Sequence, residues 1–268
     1  MRSVSLFAAV LFAAACSPAP TQETQGEEAS WPRWTMEDAT LFPADASLAR
    51  PEDGVILADG RMLVADQRYG LAALSEDGAA TPFGAFADAG YAHEPPAREA
   101  GPNGVALEPD GRHVLVADVF SGAIYRTDVE TGTTERVYQH AYGVNTAVAD
   151  TAGALWFTQS TENAGENSGA RLFEAIDVVM PDGALYRIPP GGGAPERRAD
   201  GFAFANGVVV DEARGALYLA ETMGDRILAF ALDLETGALS QRRTLAEVAG
   251  PDNIELDAAG RLWIASAA

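Results

Sequence analysis

Six side chains in this sequence carry hard oxygen donors at a repeated place: Glu52, Asn103, Asn145, Asn206, Asp252 and the adjoining Asn253. The first five each stand 14 or 15 residues before a polar residue that ends an apolar run, namely Asp66, Asp118, Ser160, Glu221 and Ser266. If the five runs are copies of one structural unit, equivalent positions converge. Converging carboxylates and amide carbonyls suit a hard divalent cation, Ca2+ foremost, and two carboxylates balance its charge. Taken singly, Asn103-Gly104 and Asn206-Gly207 read as turn dipeptides, which Asn and Gly favour on backbone grounds. The register shared by five positions points to a site instead.

The elements that must position these residues repeat as well. The segments 51–66, 102–118, 144–160, 205–221 and 251–266 each begin with an acidic or Asn residue, run through apolar residues to a glycine turn, and continue into a stretch rich in Leu, Val, Trp and Tyr. The turn glycines Gly60, Gly111, Gly153, Gly215 and Gly260 are 51, 42, 62 and 45 residues apart, a mean of 50. That period suits a four-stranded propeller blade. Further strands are expected at 122–129, 183–190 and 226–233, and helical periodicity is nearly absent. The expectation is an all-β propeller in which equivalent first-strand positions ring a central channel.

Composition removes other chemistries. The 268 residues are 47% hydrophobic, enough for one large domain, and 39 acidic against 18 basic residues give a net charge of −21. Every basic residue is Arg. So acidic a surface repels phosphate backbones and anionic lipid, which argues against nucleic acid and peripheral membrane as partners. Without Lys there is no Schiff base, pyridoxal phosphate anchor or Walker A loop. With one cysteine, Cys16, there is no disulfide, zinc finger or iron–sulfur cluster. His93, His113 and His140 form no HExxH pair, and no GxSxG elbow surrounds a serine.

Residues 1–15 read as a signal peptide of lipoprotein type: Arg2 gives the positive start, Val4–Ala15 an apolar stretch too short to span a bilayer, and three alanines precede Cys16. Cys16 is the expected lipidation site, in a sequence that resembles a bacterial lipobox. Residues 16–33, rich in Pro, Thr, Gln and Glu, read as a flexible tether, and 34–268 as the propeller domain. The expected location is the periplasmic side of a bacterial membrane, with a soluble periplasmic or secreted protein as the alternative. Membrane contact is expected through the lipid anchor alone.

The stretches Phe204-Ala-Asn-Gly-Val-Val-Val, Ala216-Leu-Tyr-Leu-Ala-Glu-Thr, Gly250-Pro-Asp-Asn-Ile-Glu-Leu-Asp and Gly260-Arg-Leu-Trp-Ile-Ala resemble the senescence marker protein/gluconolactonase/luciferin-regenerating enzyme-like family, in a superfamily with paraoxonase and strictosidine synthase. The resemblance covers about residues 50–268 and implies a six-bladed β-propeller with a divalent cation, commonly Ca2+, in its channel. Carried over by motif, Glu52, Asn145, Asn206, Asp252 and Asn253 are the implied metal ligands. Asn103 stands where gluconolactonases place a polar substrate or metal contact and paraoxonases a histidine, and Asn103 and Asp252 are the candidate catalytic residues. Asp53 matches a second, structural calcium position in paraoxonases, but Thr146 replaces its partner carboxylate, so one metal is expected. The implied activity is hydrolysis of small lactones or esters, the cation polarising the carbonyl.

No general base stands out: His93 and His140 read as surface or structural residues and His113 as a strand residue. The insert 161–181 has the length of a substrate lid. From Trp34 onward there are 235 residues, 4.7 blades at about 50 each, so about five blades are expected here and the propeller reads as incomplete at its C-terminus. Two other functions stay open: a propeller that binds a ligand or protein around a structural metal, and a metal-free enzyme of the strictosidine synthase type.

Overall fold

The computed structural model describes residues 37, 42–45 and 47–266. The expected signal peptide, the tether and Cys16 lie outside the described residues. The chain divides after Thr40 into two units; of the first only Glu37 is described, and the second holds every element that follows.

Four four-stranded antiparallel sheets and one two-stranded sheet follow one another along the chain. The first contains β1 (Gly54–Ile56), β2 (Met62–Asp66), β3 (Gly70–Leu74) and β4 (Ala80–Phe83); the second β5 (Pro102–Leu107), β6 (His113–Asp118), β7 (Ala123–Asp128) and β8 (Thr134–Gln139). The third contains β9 (Ala147–Ala149), β10 (Leu155–Gln159), β11 (Gly183–Ile188) and β12 (Glu196–Phe202), with helix α1 (Ser168–Asp177) between β10 and β11. The fourth contains β13 (Ala205–Asp211), β14 (Ala216–Glu221), β15 (Arg226–Leu232) and β16 (Leu239–Glu247); the fifth contains β17 (Pro251–Leu256) and β18 (Leu262–Ser266). Strands pair with their neighbours in sequence throughout. The hairpin between the first two strands of each sheet turns at its glycine, with φ of 89°, 67°, 84°, 57° and 72° at Gly60, Gly111, Gly153, Gly215 and Gly260, a region costly for other L-residues.

Alternation along each strand explains how the sheets stack. Successive side chains leave opposite faces of a strand, so a strand apolar at every position offers two faces for burial. In β6, Val114 and Val116 pack with Leu63 and Leu71 of the first sheet, whereas Leu115 and Ala117 pack with Phe157 of the third. In β10, Trp156 turns to Leu217 and Leu219 of the fourth sheet. Ala220 and Ile227 of the fourth close on Ile254 of the fifth. The second, third and fourth sheets are thus each sandwiched face to face by their sequence neighbours, the first and fifth packing on one each, and β1, β5, β9, β13 and β17 lie side by side in that order. This is an all-β, propeller-like arrangement with the first strand of every sheet innermost.

The insert 161–181 is where the expected near absence of helical periodicity gives way. It contains α1, whose Leu172 and Ala175 pack on Val119, Phe120 and Phe204 while Phe173 and Ile176 face solvent. Leu172, Phe173, Ala175 and Ile176 alternate with Arg171, Glu174 and Asp177 at helical spacing, so the 3.6-residue period is present in the sequence, confined to ten residues of a long insert.

Candidate functional site

Three of the five inner strands carry the same irregularity at the candidate residues. In the second sheet Pro102 pairs with Asp118 and Val105 with Val116, so Asn103 and Gly104 oppose one residue of β6. In the fourth, Ala205 pairs with Glu221 and Val208 with Leu219, setting Asn206 and Gly207 against one residue. In the fifth, Pro251 pairs with Ser266 and Ile254 with Ile264, doing the same for Asp252 and Asn253. These are β-bulges, and an extra residue re-aims side chains that would otherwise alternate. The Asn-Gly pairs are bulges rather than turns. Their glycines let the next inner strand approach: a Cβ on Gly104 would lie 2.8 Å from Thr146 Cα, and one on Gly207 2.7 Å from Ile254 N.

Hydrogen bonds carry the inner strands from sheet to sheet. The Asp53 carboxylate accepts from the Gly54 and Val105 amides, each at 2.8 Å. Gly104 N donates to Asn145 O at 2.9 Å. Thr158 Oγ1 donates to Asn206 O at 2.6 Å, Ser160 Oγ to Ala205 O at 2.9 Å and Thr222 Oγ1 to Pro251 O at 2.7 Å. Asn253 Nδ2 of the fifth sheet donates to Glu52 Oε1, just before the first, at 3.3 Å. The six candidates are thereby brought into one ring.

Two of those hydroxyls also orient amides. Ser160 Oγ accepts from Asn145 Nδ2 at 3.0 Å, and Thr222 Oγ1 accepts from Asn206 Nδ2 at 3.1 Å. With each NH2 engaged, each carbonyl oxygen is turned the other way. The Asn145 oxygen accepts from Thr146 Oγ1 at 3.1 Å; those of Asn206 and Asn253, together with Glu52 Oε2, are buried without a hydrogen-bond partner. All three orphans are acceptors, and buried acceptors left unmatched are costly. Asn103 differs from the rest. Its oxygen accepts from Arg50 Nη2 at 3.1 Å, while its Nδ2 makes only a 3.4 Å contact with Asn145 O.

Electrostatics reinforces the need for a positive partner. Burial, then the charges of Asp53 and Asp252, push the Glu52 carboxyl up to about 8, against the opposing pull of Arg50 and the Asn253 amide. Burial raises Asp53 to about 6, and raises Asp252 against a hydrogen bond from Asn206. A hard divalent cation would satisfy the three orphan oxygens and reverse the repulsion among the carboxylates, so the donor set fits one. A cavity of about 430 Å³ adjoins the ring, bordered by Asp53, Thr146 and Asn253 and walled by Val105, Val208 and Ile254.

Arg50 is the functional candidate that sequence reasoning missed. Its φ of 48° turns the chain ahead of Glu52, its Nη1 donates to Pro102 O at 3.1 Å, and its guanidinium lies 5.1 Å from the centre of the Phe120 ring. Nothing in the spacing of a lone Arg marks it out. None of the three histidines bonds to a ring residue: His140 is buried among aromatic rings with Nε2 3.1 Å from Gln159 Oε1, and His93 Nδ1 accepts from Ala100 N at 3.4 Å. His113 belongs with Glu108 and Asp110 to a second cluster of metal-ligand types. Arg126 fills it, forking onto both Glu108 oxygens at 2.7 Å and reaching His113 Nδ1 at 3.1 Å, so the cluster is closed by an ion pair.

Comparison with known proteins adds the following. Residues 137–268 match the family described as SMP-30/Gluconolactonase/LRE-like region. Pentonolactonase XacC of Haloferax volcanii is 29% identical over 179 residues, which make up 65% of this chain and 55% of that relative, so the match spans about half the relative's length. Among solved structures, a gluconolactonase from Xanthomonas campestris superposes with a TM-score of 0.61 at 23% identity, covering 82% of this chain and 70% of its own. A luciferin-regenerating enzyme gives 0.56 at 16% identity (82% and 69%), and virginiamycin B lyase from Staphylococcus aureus 0.51 at 17% (81% and 64%). At these identities the structural likenesses speak to the fold alone.

Proposed function

Because this chain belongs to the SMP-30/gluconolactonase/LRE-like family, we propose that it hydrolyses small lactones or esters with Ca2+, or another hard divalent cation, held at the polar ring. The observation that carries this reading is the set of three buried, unpartnered oxygens on Glu52, Asn206 and Asn253. Asn145 and Asp252 complete the ligands. The pentonolactonase relative supports lactones as the substrate class. In the same reading the sheets belong to a six-bladed propeller, and the protein is exported and tethered through Cys16, which the apolar 4–15 stretch supports.

When bound, the cation supplies Lewis-acid polarisation of the lactone carbonyl. The chain's own groups do the rest. Ser160 and Thr222 fix the Asn145 and Asn206 amides, so the oxygen ligands are set before substrate arrives. Arg50 and the weakly engaged Asn103 amide donate to the substrate's oxygen atoms at the second-sheet side of the ring. Asp252 accepts the proton of the attacking water and returns it to the departing ring oxygen, so the C–O bond breaks and a hydroxy acid leaves.

The test is calorimetric titration of Ca2+ into chelator-stripped protein, with hydrolysis of aldonolactones followed before and after. One saturable site and activity restored by calcium, both lost in Glu52→Gln/Asp252→Asn, are expected. Binding without hydrolysis of any lactone or ester would overturn the enzymatic reading in favour of a binding propeller. Hydrolysis indifferent to chelator would overturn the role of the metal.

A further inference from the structure

A second cavity, of about 380 Å³, lies outside the ring, walled by Phe120 and Tyr125 and by the guanidiniums of Arg98 and Arg136. Its volume is in the range of small-ligand pockets. The two arginines converge on one point. Arg98 Nη2 donates to Gly90 O at 3.3 Å, and Arg136 Nη1 lies 3.9 Å from where a Cβ on Gly90 would stand. Both also act on Tyr125, whose hydroxyl is pushed up to about 12 by burial and by the Asp118 carboxylate while the two cations pull it back.

Both guanidiniums are held by neutral oxygens. Arg136 Nη1 donates to Gln139 Oε1 at 3.3 Å, and Gln139 Nε2 is itself tied to Ser121 O at 2.6 Å. The backbone of Arg98 is fixed by paired bonds with Glu94, at 2.8 and 3.0 Å. Among the described residues neither arginine has a carboxylate within ion-pair distance, although acidic residues outnumber arginines 39 to 18. Two carboxylates do line the cavity, but they sit toward α1: Glu99 Oε2 lies 2.9 Å from where a Gly169 Cβ would stand in its first turn, and Glu166 is in the turn leading into it. The lining therefore carries both signs of charge, with neither carboxylate paired to an arginine among the described residues.

We propose that this cavity binds a small organic anion, its carboxylate or phosphate oxygens taken by Arg98 and Arg136 and its apolar body laid against Phe120 and Tyr125. Planar guanidiniums match the paired oxygens of either group, and aromatic walls favour an unsaturated or aromatic body. The cavity shares no lining residue with the ring, which it adjoins through Phe120 and Arg50, and the proposal does not depend on the hydrolase reading.

The experiment titrates phenyl phosphate and phenylacetate, with neutral benzyl alcohol alongside, into the full chain in calcium-free buffer by calorimetry. One-to-one saturable binding of at least one anion is expected, weakening as salt rises and falling at least about tenfold in Arg98→Gln/Arg136→Gln. The anion that binds identifies the head group. Arg136→Gln alone, an exposed change, is expected to weaken binding at least about threefold and keeps the test decisive if the double variant fails to fold. Arg112→Gln, paired with Asp128 elsewhere, is expected to bind as wild type. Binding of neither anion, equal binding of benzyl alcohol, or wild-type affinity in the arginine variants would overturn the proposal.

Discussion

Replacing Glu52 by glutamine should stabilise the protein in chelator and reverse that order in calcium. Glu52 titrates near 4.5 when exposed and near 8 in the folded chain, where burial and the Asp53 and Asp252 charges oppose its ionisation. A carboxyl with a raised folded-state pKa binds its proton more tightly in the folded state. The folded chain is therefore at its best below pH 4.5 with respect to this group, and loses stability as pH rises toward 8. At about 1.36 kcal/mol per factor of ten, the loss is about 3 kcal/mol at pH 7 and under about 1 kcal/mol at pH 5. Glutamine keeps the shape and removes the charge. In EGTA at pH 7, Glu52→Gln should raise the thermal midpoint by about 6–12 °C for a domain of this size, and at pH 5 by far less. Free Ca2+ at about a thousand times its Kd adds about 4 kcal/mol to wild type, more than the glutamine gain, while the variant is barely moved. Circular dichroism melts at the two pH values, with EGTA and with Ca2+, read all four quantities. A midpoint in EGTA at pH 7 within about 1 °C of wild type, or an equal gain at pH 5, would refute the reasoning.

Two further outcomes are expected. Gly143→Ala places a Cβ 1.8 Å from Val119 O and 2.8 Å from Asn163 Nδ2, so backbone must move; a loss of about 3 kcal/mol by urea denaturation is expected, and an unchanged midpoint would contradict the packing described. Asp110→Asn should leave calcium stoichiometry by titration unchanged and stability within about 0.5 kcal/mol, because Arg126 already closes the cluster and Asp110 is its exposed member. Loss of one bound calcium in Asp110→Asn would show that the cluster holds a metal.

The fold was legible from its period. Glycines recurring about every 50 residues between apolar runs mark the hairpins, and all five adopt the positive φ that makes glycine necessary there. The positions of the ring residues were legible too, because register along a repeat is a matter of counting. Their orientation was not. Asn103 and Asn206 each precede glycine in a bulge of the same kind, yet one oxygen faces Arg50 and the other is left without a partner. That difference is made by Arg50 from another segment and by the Thr222 hydroxyl, contacts between residues far apart in the chain. The bulges themselves escape a composition reading because the freedom of Asn-Gly that suits a turn also suits an extra residue in a strand. Helix α1 escaped for a different reason: its apolar stripe of Leu172, Phe173, Ala175 and Ile176 keeps helical spacing, but over only ten residues of an insert that the strand period passes over.

Thr158, Ser160 and Thr222 each reach over a sheet boundary to a carbonyl of the following inner strand. The place of a ring oxygen is therefore set by the preceding sheet as much as by its own, and no excised hairpin would hold the arrangement. Transplanting the six oxygen-bearing side chains onto another toroidal scaffold would reproduce the inventory without the geometry unless the three hydroxyls went with them. A drift in the tilt of one sheet would likewise shift the ring oxygens of its neighbour, so if the ring holds the proposed cation, its affinity would register remote surface changes before the chain lost its fold.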